Sequence, residues 1–425
     1  MKVFLHTFGC KANQYDTEVV RQRLESAGCE VVEDAAGADA AVVNSCTVTH
    51  VGESKMRRFV RHLAKEQPGI RTVVMGCAAA LDDGTIAALP NVSHVVGGAD
   101  ADAVLQSLLP SAVRRPPSSL LEFRNSSRAW LKIQDGCDEH CTFCATTLAR
   151  GDNRSRAAHE IIAEARALAE RHAEIVLTGV HIGTFGRDGG DEGDRGAKGQ
   201  GADVRTLGGL VGLLVREVPD VRFRLSSVEA TEVCADLERL MVEQPGRLAP
   251  HLHAPLQSGS DRVLKRMGRH WYTAKSYRER LEHLAQRVQP FGLGADIIVG
   301  FPGESDADHR ATVELVEALP FTYLHVFPYS PREGTAAPRL GKPVHPDAAR
   351  ERSAELRAIA SRKATAHRAA RAGQEADLVL EARQGGLRDA LTEDYLGVQL
   401  PAESVAGMSR VTRRLQLDGT RLVAA

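Results

Sequence analysis

At 425 residues the chain is long enough for two or three domains, and a net charge of −1 excludes a global charge field as the means of holding nucleic acid. No apolar stretch approaches a membrane span, and the N-terminus turns polar too soon for a secretory signal. Eight cysteines in a chain of this size do not read as a disulfide scaffold; they point to a reducing cytosol and to metal or redox chemistry.

Residues 2–8, 40–45 and 72–75 read as strands, separated by helical patterns at 16–27, 50–66 and 83–88. Strands alternating with helices imply a parallel sheet, whose carboxyl ends share one ligand-binding rim. Cys10, Cys46 and Cys77 each follow one of these strands, so they are expected to converge although far apart in sequence. Three thiolates on one rim suit an iron–sulfur cluster with one open iron. A single cysteine at such a place is more often a small buried apolar residue. Cys29 and Cys234 lie within or beside helical patterns and read as core or incidental.

A Pro/Ser/Arg-rich stretch, 111–119, reads as a linker. Beyond it, six strands are expected at 129–135, 174–179, 221–226, 250–256, 293–299 and 321–327, with helices between them at 157–172, 206–218, 231–244, 274–288 and 305–318. Six strand–helix units in this length fit a partly open barrel, since a full eight-unit barrel takes about 250 residues. A Gly/Asp-rich tract, 187–205, reads as a flexible loop.

The first barrel strand runs into Gly136-Cys137-Asp138-Glu139-His140-Cys141-Thr142-Phe143-Cys144. Its C-x3-C-x2-C spacing can hold three irons of a four-iron, four-sulfur cluster and leaves the fourth iron open. An amino and a carboxylate group chelate such an iron, and S-adenosylmethionine carries both at one end. A reduced cluster can pass an electron to its sulfonium and release a 5′-deoxyadenosyl radical. A zinc site is disfavoured, because zinc cysteines come as C-x2-C pairs in twos.

Residues 345–372 read as a long helix with seven basic residues: Arg350, Arg352, Arg357, Arg362, Lys363, Arg368 and Arg371. A solvated connecting helix and an RNA contact are both open readings. Short apolar runs at 376–382, 394–400, 408–416 and 419–424 suggest a small β-barrel. From Gly373 onward there are six arginines, no lysine and eight acidic residues, so RNA binding would rest on a local patch at Arg410, Arg413 and Arg414.

The motifs TFGCKANQYDTE, VNSCTVT, MGCAA, QDGCDEHCTFC, LTGVHIG, HLHAPLQSGSDRVLKRMGR, DIIVGFPGE and HVFPYSPREGTAA run along almost the whole chain. In this text the chain resembles the radical S-adenosylmethionine methylthiotransferases. The resemblance implies an α/β fold of three parts: an N-terminal parallel-sheet domain over 1–112, and a central partial (β/α)6 radical-SAM barrel over 123–345. The third is a C-terminal TRAM β-barrel over 373–425, joined to the second by the helix 346–372. It further implies two four-iron, four-sulfur clusters, one on Cys137, Cys141 and Cys144 and an auxiliary one on Cys10, Cys46 and Cys77 that carries the sulfur to be inserted. S-adenosylmethionine serves both as radical source and as methyl donor.

Within the family, TFGCKANQYDTE, LTGVHIG and HVFPYSPREGTAA look like the branch that converts N6-threonylcarbamoyladenosine, at position 37 beside the tRNA anticodon, to its 2-methylthio derivative. Isopentenyladenosine in tRNA and ribosomal protein S12 are the substrates of sister branches, and a non-catalytic iron–sulfur RNA-binding or redox-sensing protein is the alternative of another class. The implied partners are tRNA, a reducing electron donor such as flavodoxin or ferredoxin, and a sulfur source, in the cytoplasm and away from membranes. No catalytic side chain is expected beyond the cluster ligands. Phe143, Gly179, Ser227 and Glu229 are the candidates for holding S-adenosylmethionine, His253 and Gln257 are expected near the pocket, and Gly300–Glu304 form a turn that suits either a nucleoside or plain tight packing. Two texts depart from the family: Ala145-Thr146-Thr147-Leu148 replaces two aliphatics and a proline after the third radical cysteine, and Ala230 stands where a proline is usual.

Overall fold

A computed structural model describes residues 1–47, 50–110, 120, 123, 126–188 and 204–424. The linker read at 111–119 and most of the loop read at 187–205 lie outside the described residues. No helix among those described is long and apolar enough to cross a membrane.

The N-terminal part is a five-stranded, all-parallel sheet in the order Glu30–Val32, Lys2–Thr7, Ala40–Ser45, Arg71–Gly76, Val92–Gly97. Every residue of Ala40–Ser45 is buried, as expected for a parallel strand covered on both faces. The order reverses between Lys2–Thr7 and Ala40–Ser45, and such a switch point opens a crevice at the carboxyl ends of the two strands. Cys10 and Cys46 flank that crevice, and Cys77 follows the next strand along.

The expected helix at 16–27 begins earlier, at Lys11, because Cys10 itself takes the extended N-cap conformation. The helix expected at 83–88 is absent. Asp82 and Asp83 accept hydrogen bonds from the backbone of Ile86, Ala87 and Thr85 and hold this stretch in turns, while a short helix forms at Cys77–Ala80 instead. Glu30–Val32 and Val92–Gly97, two edge strands, have no counterpart in the sequence reading.

The central part supplies all six expected strands, arranged as two parallel three-stranded sheets, Arg128–Lys132, Glu174–Thr178, Arg222–Leu225 and His251–His253, Gly292–Val299, Tyr323–Pro328. Parallel bridges at Phe223–Leu248 and Ser227–His253 join the sheets into one curved wall. Among the described residues the first and last strands do not pair, so the barrel stays open on that side. The helix Lys11–Ser26 lies against the open edge: Lys132 Nζ meets Asp16 at 2.5 Å, and Tyr15 donates to buried Glu164 at 2.9 Å. Tyr15 thereby joins the hydrophobic core of the barrel.

The C-terminal part is a closed five-stranded barrel, as expected of a TRAM barrel. It docks where the half-barrel strands begin. Buried Glu174 holds Arg222 at 2.7 Å and Arg224 at 2.9 Å. The free ends of both guanidiniums donate to small-barrel carbonyls: Arg222 to Asp377 at 2.8 Å, and Arg224 to Glu393 and Thr392 at 3.0 Å. Gly292 lets the loop approach so closely that an added Cβ would lie 2.1 Å from the Asp394 carbonyl oxygen. The ring of Tyr395 enters the half-barrel and stacks on His251 with centroids 4.4 Å apart.

The long helix Pro346–Arg371 is a strut. All seven of its singled-out basic residues have partners within the chain, among them Arg352 on Glu304 at 2.7 Å, Lys363 on the Leu319 carbonyl at 2.8 Å and Arg371 on Glu393 at 2.6 Å. The expected patch at Arg410, Arg413 and Arg414 is divided. Arg410 is tied to Asp377 at the docking surface, and strand alternation turns Arg413 to the opposite face from Arg414.

Glu174 carries the docking surface, so Glu174→Gln should leave buried Arg224 without a counter-charge and Arg222 with Asp377 alone. The expected loss is about 3–5 kcal/mol, read from the denaturant midpoint. A change below about 1 kcal/mol, typical of an exposed pair, would contradict this role.

Candidate functional site

Cys137, Cys141 and Cys144 lie in the loop after the first barrel strand, at the rim where barrel chemistry assembles. Cys137 and Cys144 are close enough to Cys141 to raise its thiol, and Cys10 and Cys46 act on Cys77 in the same way. Among the described residues, only His253, Asp296 and His325 bring three metal-ligating atoms within 4.8 Å. Neither cysteine triad is therefore drawn in around a single ion, as a tetrahedral zinc with sulfur at about 2.3 Å would require. Separate irons of a cluster need the wider setting. In the His–Asp–His group, Asp296 Oδ1 accepts from both imidazoles at 3.1 Å and the three form a closed hydrogen-bonded set.

Cationic or donor groups face the thiols. Arg150 Nε donates to Cys77 at 3.1 Å, Arg269 Nη1 lies 3.8 Å from Cys141, and His181 Nδ1 lies 3.8 Å from Cys137. Burial pushes the Cys77 thiol up to about 11 and Cys141 to about 12, with each arginine opposing the rise. Burial lowers His181, but its hydrogen bonds to Cys137 and Glu232 outweigh that and raise it to about 10. Buried thiols resist ionisation, and donors at the sulfurs offset the cost. A thiolate-ligated cluster, which is anionic, fits this donor set.

Arg150 ties the N-terminal triad to the half-barrel. Besides Cys77, it donates to Asn13 at 3.2 Å, to Asp16 at 2.9 Å and to Asp135 at 3.0 Å. Burial raises Asp135, but Lys132 and Arg150 outweigh it and hold the carboxyl at about 2. Cys10 lies 3.3 Å from Asn13, whose amide also bonds Asn44 and the Ser45 carbonyl. One guanidinium thus links the helix after the strand Lys2–Thr7, and Cys77 after the strand Arg71–Gly76, to the barrel residue that precedes the radical motif.

A cavity of about 160 Å³ opens beside Cys144. Its wall includes Thr47, next to Cys46, together with Phe143, Cys144, Gln257, Tyr329 and Arg332. A second cavity of about 590 Å³ adjoins it across Arg332 and runs along Glu53, Arg57 and Asp82. The Tyr329 hydroxyl and two nitrogens of Arg332 are buried without a hydrogen-bond partner among the described residues.

The other sequence candidates divide. Phe143 borders the cavity and packs on Val263, Met267 and Phe301. Gln257 lines the same space, with φ at +64°. Gly179 is needed for packing, since a Cβ there would sit 2.6 Å from the Gln134 carbonyl oxygen. Ser227 bridges to His253, which is bound to Asp296 and Tyr323. Glu229 is paired with Arg269, and its second oxygen is buried without a partner. The Gly300–Glu304 turn serves tight packing: Glu304 takes the Gly300 amide and Arg352, both at 2.7 Å. Cys29 is core, and Cys234 sits exposed at a helix start. Of the two departures, the first forms the helix Thr146–Arg150 and sets the Thr146 hydroxyl 3.0 Å from Cys144. Sequence reasoning missed Arg150, His181, Arg269 and Arg332. The last three lie in text quoted above and Arg150 just beyond it, but nothing local in the text names a partner for any of them.

Two family models match the chain: Uncharacterized protein family UPF0004 over residues 2–97 and Radical SAM superfamily over residues 131–316. The threonylcarbamoyladenosine tRNA methylthiotransferase MtaB of Bacillus subtilis is 35% identical over 85% of this chain and 81% of its own length. The MtaB of Thermotoga maritima is 34% identical over 89% and 86%. A tRNA-2-methylthio-N(6)-dimethylallyladenosine synthase of Fervidobacterium nodosum is 33% identical over 79% and 77%. Among solved structures, the radical S-adenosylmethionine methyltransferase TsrM of Kitasatospora setae shares the fold, with TM-score 0.55 and 12% identity over 77% of this chain and 72% of that one. These relatives, along most of the length, place the chain plainly: it belongs to the radical S-adenosylmethionine methylthiotransferases, in their MtaB branch.

Proposed function

We propose that this chain inserts a methylthio group at carbon 2 of N6-threonylcarbamoyladenosine in tRNA. The observation that carries the reading is that Cys144 of one triad and Thr47, next to Cys46 of the other, line one small cavity. The text of the chain supports the substrate assignment, as do relatives of the MtaB branch. We divide the chain for this purpose into 1–112, 123–345, the strut 346–372 and 373–425.

Cys137, Cys141 and Cys144 would hold one four-iron, four-sulfur cluster, and Cys10, Cys46 and Cys77 a second. Carbon 2 of adenine carries an unactivated C–H bond that no side chain at neutral pH removes, so the clusters and S-adenosylmethionine supply the radical, sulfur and methyl chemistry. The chain's own residues position. Arg150 ties the N-terminal triad to the half-barrel, and Asn13 and Ser45 hold the loop after the central strand. Phe143 separates the radical motif from the core behind it. Glu229, with one buried oxygen unpartnered, is suited to accept from the amino or ribose groups of S-adenosylmethionine; Gly179 and Ser227 serve by shaping the wall behind them. Tyr395 closes the half-barrel from the strand beginnings and keeps water from entering there. The electron donor, of flavodoxin or ferredoxin type, and the sulfur source must come from outside, in a reducing cytoplasm.

A strain deleted for this chain should lose the 2-methylthio derivative of N6-threonylcarbamoyladenosine and keep the unthiolated nucleoside, as read by mass spectrometry of digested tRNA. Loss of 2-methylthio-isopentenyladenosine instead would overturn the substrate and leave the family standing.

The anaerobically reconstituted protein should carry about eight irons, and alanine at Cys10, Cys46 and Cys77 together should remove about half. That variant should still form 5′-deoxyadenosine from S-adenosylmethionine and yield no methylthiolated RNA. If it methylthiolates RNA with added sulfide, the N-terminal triad has a structural role only.

A further inference from the structure

Arg332 lies in the loop after the last half-barrel strand, Tyr323–Pro328, and its backbone is fixed by Thr335, whose hydroxyl donates to the Arg332 carbonyl at 2.7 Å. The side chain is 5% exposed. Its nearest counter-charge is Glu53, 3.6 Å from Nη1 and beyond hydrogen-bond reach. Glu53 shares its charge with Arg57, which donates to the other oxygen, Oε1, at 2.8 and 3.0 Å. Arg332 Nε and Nη2 have no partner among the described residues. A buried guanidinium with two open donors is costly, and native chains keep such groups where a ligand completes them.

The position of Arg332 narrows the ligand. It lines both the cavity beside Cys144 and the adjoining one, so it stands at their shared boundary. The buried Tyr329 hydroxyl, also unpartnered, lies on the same wall as Arg332. Asp296, the acidic residue of that cavity, is already held by His253 and His325. Two donors of one guanidinium match the two oxygens of a carboxylate in a planar fork.

We propose that Arg332 binds the carboxylate of the threonylcarbamoyl group and thereby selects the nucleoside. The proposal rests on the substrate reading above. It makes Arg332 a specificity residue: the adenine reaches between the clusters while its N6 substituent is held at the cavity boundary, with Tyr329 placed to donate to the same substituent. A site built around a charged pair rejects an analogue that lacks one member, because the other is left buried and alone.

The test uses the full-length reconstituted enzyme and two anticodon stem-loop RNAs, one carrying N6-threonylcarbamoyladenosine and one its methyl ester. The parent should favour the acid over the ester by about 30-fold or more in kcat/KM. Arg332→Gln should lose most of that preference through a raised KM for the acid, with kcat for the acid changed less than KM. Arg332→Lys should restore part of the preference. A parent that treats acid and ester alike overturns the proposal even if Arg332→Gln fails to load iron, and so does an Arg332→Gln enzyme that still prefers the acid. An enzyme inactive on the threonylcarbamoyl RNA but active on an isopentenyl one would instead overturn the substrate reading, a result visible before any variant is made.

Discussion

The guanidinium of Arg150 is the contact on which the arrangement depends. It meets a thiol, an amide and two carboxylates drawn from the N-terminal sheet and the half-barrel: Cys77, Asn13, Asp16 and Asp135. Buried charge of this kind stabilises little by itself, because desolvation offsets the Coulomb attraction. Its value is geometric. Its four partners come from both parts, so the two parts have one low-energy way to meet. That way sets the crevice of the parallel sheet against the rim of the half-barrel.

The same logic recurs at the other junctions. Glu174 with Arg222 and Arg224 pins the small barrel, and Arg352 with Glu304 pins the strut. Tyr395 and Gly292 then bring the small barrel's loop into the half-barrel from the side away from the cysteines. The half-barrel needs such closure because its strands do not complete a ring. With the helix Lys11–Ser26 along the open edge and Tyr395 at the strand beginnings, the remaining space is the cavity bordered by the cysteine loops.

Much of this was legible from local text. Six strand–helix units, the three strand-end cysteines and the C-x3-C-x2-C run are patterns of composition and spacing, and each appears where periodicity places it. Short edge strands such as Glu30–Val32 carry too few residues to show a period. The turn at 82–88 misled because its apolar residues mimic a helix while Asp82 and Asp83 bond the backbone. Arg332, Arg269 and Arg150 were not recognisable as site residues, since their meaning lies in partners tens of residues away. The basic residues of the C-terminal part were misleading in the opposite sense: charge counting marks Arg410 as available, yet Asp377 holds it at a domain junction. A count of charges says nothing about which of them are already paired.

The central claim is that two clusters face one another across the cavity lined by Thr47, Phe143 and Arg332. It is tested most directly by an iron anomalous-difference map of the reconstituted full-length protein. The account expects two separate four-iron peaks, one on Cys10, Cys46 and Cys77 and one on Cys137, Cys141 and Cys144, with the cavity between them. Iron on the Cys137–Cys144 loop alone, with the N-terminal cysteines unligated or holding zinc, would contradict it.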